Sequence, residues 1–107
     1  MEKNIFENYA EKLKALGHPI RLKIAAELAK RSITVNALCD VLDIPQATVS
    51  QHLSILRNKG IIVGERNGTS ISYSLQSEPV RSMLDSLQLS MQSATGGSVA
   101  NRQNARA

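Results

Sequence analysis

The apolar positions of this chain change their period several times, and each change marks an element. Ile5, Phe6, Tyr9, Leu13 and Leu16 recur at helical spacing with Glu7, Glu11, Lys12 and Lys14 between them, which predicts an amphipathic helix over residues 5–16. Gly17-His18-Pro19 interrupts it: Gly17 suits a left-handed helix end and Pro19 the first turn of a new helix. That second helix is expected over 19–31, burying Ile20, Leu22, Ile24, Ala25 and Leu28 to varying degree. Ser32 or Thr34 caps a short third helix over 35–42, with Leu38, Val41 and Leu42 inward. Asp43-Ile44-Pro45 makes a tight break, and a fourth helix follows over 46–59, ended by Gly60.

Beyond Gly60 the period shortens to that of strands. Two β-favouring runs, 61–66 and 70–76, flank Asn67-Gly68, a hairpin signal because both positions of a type I′ turn need positive φ. Pro79 opens a last helix in which Val80, Met83, Leu84, Leu87 and Met91 line one face. From Ala94 onward little can be buried, so residues 94–107 read as a disordered tail behind one domain over 1–93. The expected fold is mainly α with a β-hairpin wing, an α+β winged helix-turn-helix of order α-α-α-α-β-β-α.

Composition narrows this picture. A 107-residue chain with 42% hydrophobic residues holds one core, and 3% aromatics without Trp make that core aliphatic. A net charge of +4 favours a polyanionic partner, and between residues 45 and 76 Arg57, Lys59 and Arg66 face Glu65 alone. Arg102 and Arg106 add unopposed charge in the tail. Cys39 is the only cysteine, which excludes an intrachain disulfide and an all-cysteine metal site within one chain. Met1-Glu2-Lys3-Asn4 opens a mixed-charge stretch unlike a signal peptide, and no apolar run approaches the roughly 18 residues of a membrane span. The expectation is a reduced, soluble, cytoplasmic protein.

The fourth helix carries the chemistry. Val49, Leu53 and Leu56 fall at i, i+4 and i+7 and anchor it, while Ala47, Gln51, Ser54 and Asn58 face outward, flanked by Thr48 and Ser50. That face is small and polar and has no carboxylate. Amide and hydroxyl groups of this size let a helix enter the major groove and hydrogen-bond base edges, and the Ala47 methyl can meet a thymine methyl. Gln46 can reach a base or a phosphate; Arg57 and Lys59 lie where phosphate contact is expected. Arg66, at the hairpin tip, suits a minor-groove or backbone contact, with a solvated pair to Glu65 as the alternative. His52 sits near the apolar edge, where it packs or bonds a phosphate. An enzyme is not expected: there is no glycine-rich phosphate loop and no Gly-x-Ser-x-Gly, and Ser50 and His52 point about 200° apart on an ideal helix. A winged helix that docks a protein instead of DNA remains the alternative from another class.

Three blocks in order, Leu16-Gly17-His18-Pro19-Ile20-Arg21-Leu22, Gln46-Ala47-Thr48-Val49-Ser50-Gln51-His52-Leu53 and Leu56-Arg57-Asn58-Lys59-Gly60-Ile61-Ile62, resemble the ArsR-type winged-helix repressors over residues 5–92. The resemblance implies a homodimer built from the first and last helices. It also implies an inverted-repeat operator on double-stranded DNA, each subunit placing its recognition helix in the major groove, and release by a ligand or chemical modification. The apolar faces of both terminal helices agree with a dimer through Ile5, Phe6, Tyr9, Met83, Leu84, Leu87 and Met91. Many relatives sense metals through a Cys-Val-Cys-Asp-Leu pattern, which falls here on Thr34-Val35-Asn36-Ala37-Leu38 without either thiolate. At a second family metal site Asp85 is followed by Leu87 where a His is needed, and no His follows His52. No metal and no cofactor are therefore expected at those sites, and His18 and His52, separated by role, are not expected to act as a pair. Cys39 falls where a redox- or persulfide-sensing branch places one of two reactive cysteines, but the partner position is about Gln92. It is either a small packed hydrophobe or a singly modified redox site. The inducer is not written in the sequence.

Overall fold

The computed structural model describes residues 4–89, and every helix among them except one begins on a side chain that closes its own first turn. Helix α1 (Ile5–Leu16) starts with a capping box: the Glu7 N–H donates to Asn4 Oδ1 at 2.8 Å and the Asn4 N–H to Glu7 Oε1 at 3.1 Å. Helix α2 (Pro19–Lys30) is capped by His18, whose Nδ1 accepts the Ile20 N–H at 3.1 Å. Helix α3 (Val35–Leu42) is capped by Thr34 rather than Ser32, and α5 (Glu78–Ser86) by Ser77. Helix α4 (Gln46–Asn58) follows Pro45 with no side-chain cap.

The ends of the helices correct two expectations. Gly17 is not left-handed; at φ −79° and ψ 51° it centres an inverse γ-turn closed by the His18 N–H on the Leu16 carbonyl at 2.8 Å. A single-residue turn is required because His18 must already be extended to cap α2. The last helix stops at Ser86 instead of running through Met91. The Leu89 N–H returns to the Leu84 carbonyl and the Gln88 N–H to the Asp85 carbonyl, each at 2.9 Å, with Gln88 left-handed at φ 61°. Leu89 then packs against the core, which offsets the cost of a left-handed Gln88. Met91 and the proposed tail lie outside the described residues. At the end of α4 the same pair of bonds, Gly60 N–H to Arg57 and Ile61 N–H to Leu56 at 3.0 Å, ends the helix where expected.

Strands β1 (Ile33–Thr34), β2 (Ile62–Asn67) and β3 (Ser70–Leu75) form an antiparallel sheet of order β1-β3-β2. The fold is thus a winged helix-turn-helix of order α-α-β-α-α-β-β-α. Strand β1 was not expected, since two residues carry no readable period; they pair Ile33 with Tyr73 and Thr34 with Ser72. The hairpin turn is displaced by one residue. Asn67 pairs with Ser70, so the loop is Gly68-Thr69, and only Gly68 takes positive φ, the pattern of a type II′ rather than a type I′ turn.

The core gathers Ile24 and Leu28 of α2, Leu38 of α3, Val49 and Leu56 of α4, Ile61, Ile62 and, from α5, Leu84. Leu84, expected at the dimer face, is therefore enclosed by its own chain. Helix α1 contributes only Ala15 and Leu16 to this interior. Across the wing Gly64 pairs with Tyr73, and a Cβ built on Gly64 would lie 2.8 Å from the ring edge. Tyr73 is buried, so its ring cannot swing clear without exposing apolar surface. Gly64→Val is expected to cost about 1–3 kcal/mol by overpacking. Thermal unfolding should register this as a drop of roughly 4–8 °C per kcal/mol in a chain of this size.

Candidate nucleic-acid interface

Helix α4 is held from one side only. Val49, Leu53 and Leu56 are buried beneath it, while Gln46, Ala47, Ser50, Gln51, Ser54, Arg57 and Asn58 are exposed. Thr48 is half-buried at the shoulder of that face. The structure thus brings every residue assigned to the helix onto one protruding surface, and no acidic side chain occupies its first turn. With no cap at Pro45, the first N–H groups and the positive end of the helix dipole stay available to an anion. On the wing Arg66 is exposed and stands opposite Ile71, one pair before the loop. Glu65 and Arg66 are successive strand residues and point to opposite faces, so the alternative of a local pair between them is not realised.

The inner edge of α4 carries a polar bracket that the sequence did not reveal. Arg21 of α2 donates its Nε–H to His52 Nδ1 at 3.2 Å and its Nη1–H to the Ala15 carbonyl of α1 at 2.9 Å. His18 and His52, not expected to serve as a metal-binding pair, lie with ring centroids 4.6 Å apart and planes at 46°. Burial first, then the nearby His18 and Arg21, holds the His52 pKa below the ordinary imidazole value. Two helical turns further on, Lys12 of α1 donates to the Lys59 carbonyl at 2.8 Å, and Lys59 pairs with Glu11 at 3.4 Å. Lys59 is thereby drawn toward α1 rather than left for phosphate. A shallow groove of about 270 Å³ lies between these links, lined by Glu11, Lys14, Ala15, Arg21, Ile55 and Lys59.

Cys39 lies half-buried on α3, and burial together with the Asp40 carboxylate pushes its thiol pKa up. A raised pKa keeps the group a thiol at neutral pH, the form that does not act as a nucleophile. Among the described residues no group of three or more His, Cys, Asp or Glu is placed to hold a metal ion. Helix α1 exposes Ile5, Phe6, Tyr9 and Leu13, Leu87 is exposed just after α5, and Met83 is half-buried.

Comparison with known proteins places this arrangement. Residues 18–63, which span α2 to the start of the wing, match the model of the bacterial regulatory protein, arsR family. The chain is 40% identical over 79 residues to the transcriptional repressor PagR of Bacillus anthracis, covering 73% of this chain and 79% of that protein. The crystal structure of PagR superposes with a TM-score of 0.72 over 77% of this chain and 94% of its own. The chain belongs to the ArsR family. Another ArsR-family relative, the HTH-type transcriptional repressor SmtB of Mycobacterium tuberculosis, is 40% identical over 73 residues, or 68% of this chain. The match spans 54% of SmtB, about half its length. The homodimeric winged helix-turn-helix DNA-binding domain Mb0332 of Mycobacterium bovis has a TM-score of 0.72 at 27% identity, covering 79% of each chain. The family's named members are regulators, and among the described residues no helix of this ArsR-family chain is long and apolar enough to cross a membrane.

Proposed function

We propose that this ArsR-family chain is a homodimeric, cytoplasmic transcriptional repressor, not an enzyme, that binds an inverted repeat in double-stranded DNA. The observation that carries the reading is the outer face of α4: small, polar, free of carboxylates, and held out from the body by Val49, Leu53 and Leu56. Gln46, Ala47, Thr48, Ser50, Gln51 and Ser54 take the base edges and nearby phosphates, and Arg57 and Arg66 take the sugar–phosphate backbone or minor groove. The likeness to the homodimeric DNA-binding domain Mb0332 supports the same assembly for this chain. The exposed Ile5, Phe6, Tyr9 and Leu87, with the half-buried Met83, supply an apolar face for it.

Selection of bound duplexes from a random pool tests this directly. The enriched sequences are expected to contain two inverted half-sites about one helical turn, roughly 34 Å, apart. Affinity for them should fall steeply with salt, because each neutralised phosphate releases counterions and steepens the slope by about 0.9. A protein-docking module would enrich nothing and show a flat salt response. Repeating the selection with thiol oxidants and with divalent metals identifies the class of inducer.

A further inference from the structure

We infer that Arg21 is a positioning residue for the recognition helix, bolting α4 to the end of α1 through His52, and that protonation of His52 withdraws the bolt. The inference rests on the DNA-binding reading above. It goes beyond that reading in assigning an acid-responsive link to Arg21 and His52, which that reading does not use. The Arg21 guanidinium bonds both helices at once, 2.9 Å from the Ala15 carbonyl and 3.2 Å from His52 Nδ1. Helix α1 needs such a link. Its fully buried residues are Ala15 and Leu16, and its other ties to α4 run from Lys12 and Glu11 to Lys59 at the far end, so the angle between the two helices is set by few contacts.

The chemistry of the link is one-directional. A guanidinium can only donate, so His52 accepts at Nδ1 only while that nitrogen is unprotonated. A proton there replaces the bond with two cations at contact distance. The charged groups around His52 offer no carboxylate in compensation on α2, where its neighbours are His18 and Arg21. Across the groove α1 presents Lys14 and Glu11, and Glu11 pairs with Lys59 of α4. On α3 the acidic Asp40 and Asp43 line a separate hollow with Cys39 and Gln46, and on the wing Glu65 and Arg66 stand out in solvent. Because the fold favours neutral His52, its contribution is present above the ordinary imidazole value and is lost as pH falls through the lowered one. Acid, not base, releases α4.

The test compares the full chain with His52→Asn, which keeps an acceptor for Arg21 but cannot take a proton, between about pH 7.5 and about pH 5.5. Two readouts are taken at fixed salt: hydrogen-exchange protection of the α4 amides in the free protein, each rate divided by the intrinsic rate at that pH, and affinity for a duplex enriched from a random pool at the higher pH. In the unsubstituted chain acid should lower α4 protection and weaken the duplex, each by about tenfold, a modest coupling between two sites. His52→Asn should hold both within about twofold, and Arg21→Gln should show the weakened values already at the higher pH. His18→Asn, which preserves the cap on α2, should leave the acid response in place. The inference is overturned if His52→Asn follows the unsubstituted chain in α4 exchange, or if the response disappears with His18→Asn instead. If no duplex is enriched, the functional reading fails on its own, and α4 exchange in the free protein still decides the bolt.

Discussion

Phe6→Glu is expected to leave the chain folded and monomeric at micromolar concentration, and to lose operator binding with the dimer. Phe6 is 81% exposed on a helix whose neighbours Ile5 and Leu13 are 59% and 57% exposed, so the single chain leaves an apolar face uncovered. Burying a side chain of this size contributes about 1.5–3 kcal/mol. In a twofold interface the residue appears twice, and a carboxylate in its place adds a desolvation cost. A loss of at least about 3 kcal/mol raises the dimer Kd by about a hundredfold or more. Sedimentation equilibrium measures it. Unchanged association at the same concentration would remove α1 from the interface, whereas a charged residue at the exposed Leu87 should act in the same direction with a smaller effect.

Gln51→Glu should abolish DNA binding while the dimer and its thermal unfolding stay as they were. Gln51 is exposed and surrounded on α4 by Ala47, Ser50 and Ser54, so a near-isosteric acid disturbs no packing. It exchanges an amide donor for a negative charge that must sit among phosphates. Each lost base contact is worth about 1–3 kcal/mol, and the dimer makes it twice, so affinity should fall by about thirtyfold or more before repulsion is counted. Anisotropy titrations against a selected duplex provide the measurement. Retention of full affinity would mean that α4 does not enter a groove. Together the two variants separate assembly from recognition, since both are expected to lose the duplex but only Phe6→Glu to lose the dimer.

The pattern of residues along the chain was enough to define four helices closely, the anchor and outer faces of α4, the helix end at Gly60, and the order that identifies a winged helix, while the choice of Thr34 over Ser32 as the cap of α3 came from the structure. These features depend on residues within about two helical turns of one another, and a period of 3.6 records which of them share a face. Other features were settled only by distant parts of the chain meeting. Asn67-Gly68 is the stronger local turn signal, but a loop at those residues would set Gly64 opposite Ile71 and Tyr73 opposite Ile62. The observed register places the Tyr73 ring over Gly64, which leaves it room, and moves the loop to Gly68-Thr69. Strand β1 exists because β3 is there to pair with it, and α5 ends early because Leu89 finds the core. Leu84 looked like its neighbours on one helical stripe, yet only packing decides which part of a stripe faces inward.

The bracket at Arg21 was the least legible feature, since its partner His52 is 31 residues away and the link from Lys12 to Lys59 spans 47. Local periodicity determined what each helix is and which face it offers. Tertiary structure alone decided how the helices are tied to one another, because a hydrogen bond between separate elements leaves no repeat in either of them.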